Sequence, residues 1–169
     1  VGVDANGDGI FESFAGVTTN AGKAEFKGVE LETFARIAPN FAGPGSSVNF
    51  TGTLGYVDAE YKEFLVGVSN FDENGNPAPG TQGLVDIADF RRIQNTPKWT
   101  LSGTLDATVG LAIGSLTGST TLSYRSKTFQ FETPSPFLDQ PGYALWDASL
   151  VWSSDDDRYS LGLHAKNIT

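Results

Sequence analysis

The chain contains no cysteine, which excludes disulfides, thiolate metal sites and cysteine nucleophiles together. It has one histidine, His164, so a metal centre built from clustered imidazoles is excluded too. Cations are scarce: 11 Lys and Arg stand against 20 Asp and Glu, a formal charge of −9. They are scattered along the chain, so a phosphate backbone has nothing to grip and no nucleic-acid partner is expected. Neither a Gly-x-Ser-x-Gly elbow nor a phosphate-cradling Gly-rich loop occurs, and no enzyme activity or cofactor is expected. No apolar run approaches the eighteen or so residues of a membrane-crossing helix, which leaves strands as the one way across a bilayer.

What is abundant points the same way. The 20 Gly and 12 Phe, the many Thr and Ser and the absence of Met suit strands joined by turns and disfavour helices. The length of 169 residues suits one domain.

The clearest pattern runs from Pro97 to Phe129. Trp99, Leu101, Gly103, Leu105, Ala107 and Val109 alternate with Thr100, Ser102, Thr104, Asp106 and Thr108, a period of two that belongs to a strand with one apolar face. After the turn Gly110–Gly114, residues Leu116, Gly118, Leu122 and Tyr124 oppose Thr117, Ser119, Thr121, Ser123 and Arg125, and only Thr120 interrupts the apolar side. The same alternation sets Val29, Leu31, Thr33, Ala35 and Ile37 against Glu30, Glu32, Phe34 and Arg36, and Val48, Phe50, Gly52, Leu54 and Tyr56 against Asn49, Thr51, Thr53, Gly55 and Val57. It returns in Ala144, Trp146, Ala148, Leu150 and Trp152, and in Tyr159, Leu161, Leu163 and Ala165. Ile10 to Ile37 reads as one long strand with a bulge at Asn20–Gly22 or as a hairpin turning there, because Asn and Gly favour positive φ in both cases.

Connection length alternates as well. The breaks at 39–47, 110–114 and 153–157 are short, and those at 62–95 and 130–142 are long, the first with an amphipathic piece around Leu84–Arg92 that suits a short helix. In an up-and-down sheet every second connection lies at the same end, so the short turns share one rim and the long loops the other. Transmembrane barrels sort their loops in this way, and strands of about ten residues reach across a bilayer when tilted by ~45°.

Several residues invite chemical readings. Asp4, Asn6 and Asp8 open like a calcium loop, with oxygens at alternate positions and Gly for the bend; the position for the bidentate carboxylate is Ala15, which also fits an exposed Asp- and Gly-rich turn. Glu30 and Glu32 place two carboxylates on one face about 6.6 Å apart along the strand, a solvated pair unless a pocket encloses them. Phe64, Phe71 and Phe129, on or beside long loops, either contact a ligand or pack the loops down. His164 is expected to line a wet interior beside Lys166. The chain opens at Val1 without an initiator Met or a signal segment and stops at Thr169 in what reads as mid-strand, as a fragment does.

Thr19–Glu32, Gly55–Tyr61, Asn95–Thr100, Tyr124–Ser126, Pro141–Tyr143 with Trp146–Ser149, and Lys166–Thr169 follow one another in an order and spacing that resemble the C-terminal barrel portion of TonB-dependent outer-membrane receptors. The resemblance covers nearly the whole chain. It implies an all-β fold: an antiparallel up-and-down meander of about six to seven long strands, an open segment of a 22-stranded transmembrane barrel. Residues 1–169 would be a single partial barrel segment, with the plug domain, earlier strands and the final strand absent. The implied role is energy-coupled uptake of a scarce nutrient such as a ferric siderophore, cobalamin or an oligosaccharide across the outer membrane of a Gram-negative bacterium. Its implied partners are outer-membrane lipid, the remainder of the barrel with its plug, an inner-membrane energy-coupling complex and the nutrient itself. The alternative is a soluble secreted β-sandwich, a binding or adhesin-like module stabilised by calcium at Asp4–Asp8, since a sandwich also has one wet and one dry face per strand.

Overall fold

The computed structural model describes Gly2–Val3, Ser13–Phe14, 22–71 and 77–169, with side chains from 22 to 67 and from 84 to 169. Two short strands, β1 (Gly2–Val3) and β2 (Ser13–Phe14), pair antiparallel with each other. The body of the fold is one sheet containing β3 (Lys23–Pro39), β4 (Ser47–Glu63), β7 (Trp99–Leu111), β8 (Gly114–Arg125), β9 (Tyr143–Ser153) and β10 (Ser160–Ala165). Its order is β10-β9-β8-β7-β4-β3, with every neighbouring pair antiparallel. A second ribbon, β5 (Leu65–Phe71) and β6 (Pro77–Asp86), is inserted between β4 and β7 and is followed by a 3-10 turn at Ala88–Phe90.

The meander of six long strands is the expected one, and its connections sort as expected. The turns at Asn40–Ser46, Ala112–Ile113 and Ser154–Tyr159 lie at one rim, whereas the β4–β7 and β8–β9 connections lie at the other. The short turns are held locally. At the first, Asn40 at φ 55° donates its N–H to the Ser46 carbonyl at 2.6 Å, and the Ser46 hydroxyl donates to Gly43 O at 2.7 Å. At the second, Gly114 at φ 138° packs against the Ser153 carbonyl so closely that a Cβ could not fit, which is why glycine is required there.

Three expectations need correction. The long strand begins at Lys23, and Ser13–Phe14 belongs to a different ribbon, so no single strand spans 10–37. Leu84–Asp86 closes β6 instead of opening a helix, because the 3-10 turn starts only at Ala88; the strands of the β5–β6 hairpin carry no alternation in the sequence. A bulge between Arg36 and Ala38 shifts the phase, so Ala38 and not Ile37 continues the apolar row opposite Val48.

Among the described residues no hydrophobic side chain is buried, and Leu31, Leu105, Leu122, Leu161 and Leu163 range from 43% to 73% exposed. Among the described residues no second layer covers the sheet, which is not the packing of a β-sandwich. A soluble sheet of this size would lose its main stabilising term if its apolar face stayed bare, since burial contributes about 25 cal/mol per Å².

Candidate functional site

Residues paired directly across an antiparallel ladder point to the same face, so the registers define rows. On one face run Thr33, Gly52, Gly103, Leu122 and Trp146; Ala35, Phe50, Leu105, Thr120, Ala148 and Ala165; and Val48, Ala107, Gly118, Leu150 and Leu163. This face is apolar apart from Thr33 and Thr120. Phe50 lies over the Gly52–Gly103 pair, where an added Cβ would come 2.9 Å and 3.4 Å from its ring, and open apolar hollows of about 440 and 470 Å³ flank it.

The apolar face has two sharp limits. At the short-turn end the row is Val109, Leu116, Trp152 and Leu161; at the other end Tyr56 and Trp99 stack at 4.6 Å. Ten steps of β7 separate these rows, about 34 Å along the strand and ~24 Å once tilted by ~45°, close to the ~25 Å apolar band of a transmembrane barrel. Immediately beyond Tyr56 the same face becomes charged. Lys98 binds Asp58 at 3.0 Å and lies 5.6 Å above the Tyr56 ring, and Glu25 is bound by Lys27 at 2.9 Å and Lys62 at 3.4 Å. The Asp58 carboxylate holds the Lys98 ammonium pKa above its ordinary value.

The β3–β4 ribbon continues past the start of β7, from Val57 to Glu63, for about 20 Å. The two long loops lie beside its free edge across a small cleft, joined to it at Val57 and tied to each other. The Val57 N–H donates to Lys98 O at 3.0 Å, Arg92 N–H to Glu132 O at 2.7 Å and Asn95 N–H to Phe129 O at 2.9 Å, while Arg91 bonds the Thr133 hydroxyl. Phe64 packs edge-on to Tyr61 at 5.0 Å and beneath Arg91 at 5.4 Å, and Phe129 lies beneath Lys127 at 4.9 Å. These two aromatics therefore hold the loops down; the side chain of Phe71 lies outside the described residues.

The opposite face is rich in hydroxyls. Thr104 and Thr121 share a hydrogen bond of 2.9 Å, Thr108 and Thr117 one of 3.1 Å, and Ser102 and Ser123 one of 3.4 Å. Each pair spans β7 and β8 and satisfies the hydroxyls against each other. Glu32, opposite Thr53, and His164, opposite Ser149, sit on this face as expected.

At the long-loop end of the polar face, a single row crosses five strands: Glu30, Gly55, Thr100, Arg125 and Tyr143. Gly55 is a gap in this row, for a Cβ there would meet the Thr100 hydroxyl at 2.5 Å. Two clefts open along it and share Asn95. One, of about 230 Å³, includes Glu30, Gly55 and Thr100; the other, of about 650 Å³, includes Arg125, Gln130, Gln140 and Tyr143. The Arg125 guanidinium donates to Asn95 O at 3.2 Å, and its Nε has no partner. The sequence pairs Glu30 with Glu32; the register places it in one row with Arg125, whose signal in the sequence is that it is a lone charge ending a run of hydroxyls.

Asp4, Asn6 and Asp8 lie outside the described residues. Among the described residues no group of three or more His, Asp or Glu side chains could hold a metal ion. A family model described as TonB dependent receptor-like, beta-barrel, matches residues 1–168. No curated protein and no solved structure matches the chain.

Proposed function

The chain belongs to the β-barrel family of TonB-dependent receptors, a family of outer-membrane transporters and not of enzymes, and from that premise we propose that it forms part of the wall of an importer for a scarce nutrient. The solute is of the kind such receptors serve: a ferric siderophore, cobalamin or an oligosaccharide. Further strands complete a 22-stranded barrel beside β3 and β10, a plug domain fills its interior, and an inner-membrane energy-coupling complex drives release through the plug.

The observation that carries this reading is a sheet whose apolar face has, among the described residues, no buried hydrophobic side chain and is bounded by Trp152 at one end and the Tyr56–Trp99 stack at the other, about 24 Å apart once tilted. In lipid the faces exchange the roles they have in a soluble protein: Leu, Phe and Trp meet acyl chains, and Thr, Ser and Asp border a wet lumen. Neighbouring strands at both edges are needed on physical grounds, since each unpaired N–H or C=O in hydrocarbon costs several kcal/mol.

The test uses the intact receptor that carries this segment. Deleting it should abolish energy-dependent accumulation of one nutrient of the named kinds, measured with radiolabelled ferric siderophores, cobalamin and oligosaccharides, and the protein should fractionate with the outer membrane. Recovery of the receptor from the soluble fraction, or unchanged uptake of all these nutrients, would overturn the reading.

A further inference from the structure

We propose that the cleft around Arg125 is an anion-selective subsite, which takes a carboxylate carried by the imported solute. The inference rests on the importer reading and adds a charge class to the solute. Three observations support it.

The first is composition against background. The chain carries 20 Asp and Glu and 11 Lys and Arg, yet the residues lining the 650 Å³ cleft include the Arg125 guanidinium and no carboxylate. Asn95, Gln130 and Gln140 add neutral donors and acceptors, and Tyr143 adds a ring against which a sugar or a chelate can lie. Among the lining side chains a cation finds no counter-charge, and the nearby Asp147 carboxylate already accepts the Asn167 N–H at 2.8 Å, whereas an oxyanion finds a guanidinium surrounded by amide donors.

The second is unspent hydrogen-bonding capacity. Arg125 has one protein acceptor, the Asn95 carbonyl at 3.2 Å, and it makes no salt bridge among the described residues. Nearby cations are already engaged: Lys98 with Asp58 at 3.0 Å and Lys127 with Asp139 at 3.0 Å. Glu30, the acidic end of the same row, stands three strand spacings from Arg125, about 14 Å, beyond the ~8 Å screening length of physiological salt. A guanidinium presents paired N–H groups that match the two oxygens of a carboxylate.

The third is placement. The register puts Arg125 on the hydroxyl-rich face at the rim of the long loops, on the wall of the solute's route and not on its lipid side. Its neighbours in the row, Thr100 and Tyr143, are fixed by two ladders, so the charge is carried on rigid strand ends.

Binding of four probes to the intact receptor in detergent micelles, measured by titration calorimetry, tests the proposal: ferric citrate, trigalacturonate, maltotriose and a glucosamine trimer. The two carboxylate probes separate a chelate source from an acidic-sugar source. At least one of them should bind tenfold or more tightly than maltotriose and the cationic trimer. Arg125→Gln should remove that preference, Arg125→Lys should restore part of it, and Lys62→Gln, which removes a cation on the other face of the sheet, should leave it unchanged; heat-modifiable migration confirms that each variant is assembled. If Arg125→Gln does not assemble, the Arg125→Lys variant and the probe ranking on the unaltered receptor decide. Equal or tighter binding of the neutral or cationic trimer, no binding of either carboxylate probe, or indifference to Arg125→Gln would overturn the subsite. A receptor found in the outer membrane and importing a neutral solute would overturn the subsite alone, and the importer reading would stand.

Discussion

The indole N–H of Trp146 donates a 2.7 Å hydrogen bond to the hydroxyl of Thr120 across the β8–β9 ladder. Thr120 is the one polar interruption of the apolar side of β8, and Trp146 is the one tryptophan set away from the rims. Each accounts for the other. An indole N–H facing hydrocarbon needs an acceptor, and a threonine in the adjacent apolar row supplies it; the hydroxyl in turn donates to Asp147 O at 3.3 Å.

Replacing Thr120 by Val should therefore destabilise the assembled receptor by about 1–3 kcal/mol, the cost of leaving a donor without an acceptor in hydrocarbon, even though Val suits the apolar face better. Thr120→Ser should be nearly neutral. In a Trp146→Phe background Thr120→Val should lose most of its cost, because donor and acceptor then leave together. Urea unfolding of the barrel in lipid vesicles measures all three, and an unchanged cost in the Phe background would show that the bond is not the cause.

Lysine should be tolerated very differently on the two faces. Leu105 sits midway between the aromatic rows, so Leu105→Lys should cost about 2–4 kcal/mol, while Thr104→Lys on the hydroxyl face should cost far less. Leu161 shares its row with Trp152 at the short-turn limit, so Leu161→Lys should cost only about 0–1 kcal/mol, because lipid penalties fall towards the interface. The fraction of folded receptor recovered in outer membranes orders these variants; equal recovery of Leu105→Lys and Thr104→Lys would contradict the assignment of faces.

Gly114→Ala should impair the β7–β8 turn. The position holds φ 138° against the Ser153 carbonyl, and a Cβ must displace that backbone, at about 1–3 kcal/mol or more. Gly110→Ala, with open space around it, should cost less than 1 kcal/mol. Thermal unfolding of the two variants side by side gives the comparison.

Acid should loosen the base of the β5–β6 hairpin. One oxygen of Asp86 accepts the Phe64 N–H at 2.9 Å and the Ala88 N–H at 3.0 Å, and these bonds lower its pKa below the ordinary carboxylate value. A group with a depressed folded pKa stabilises the fold above its unfolded value, and that contribution is lost as pH falls through the folded one. Amide exchange at Phe64 and Ala88 should thus be protected at neutral pH and lose protection below the usual carboxylate range. Asp86→Asn should flatten this dependence, and Asp86→Ala should remove the protection at every pH.

Much of the fold was legible because alternation is local. Trp99 to Val109, Leu116 to Tyr124 and Ala144 to Trp152 each reveal which side chains share a face without reference to any partner, and loop lengths reveal which ends share a rim. The β5–β6 hairpin was not legible, since its strands carry no alternation and the ordered base depends on Asp86 reaching back to Phe64. Nor was the bulge at Arg36–Ala38, where one extra residue changes the phase of the strand without changing its composition.

The amino-acid order alone determined that this is a chain of strands with one greasy and one hydroxylated side, joined by short turns and long loops in alternation. Only the tertiary structure decided that nothing among the described residues covers the greasy side, that Thr120 answers Trp146, and that Glu30 and Arg125 end up in one row. The reason is that facing depends on a residue's own strand, whereas a neighbour across several strands depends on the sum of every intervening register. A single-residue slip in any one ladder reverses which side chains face together, so those juxtapositions exist only once all the ladders have formed.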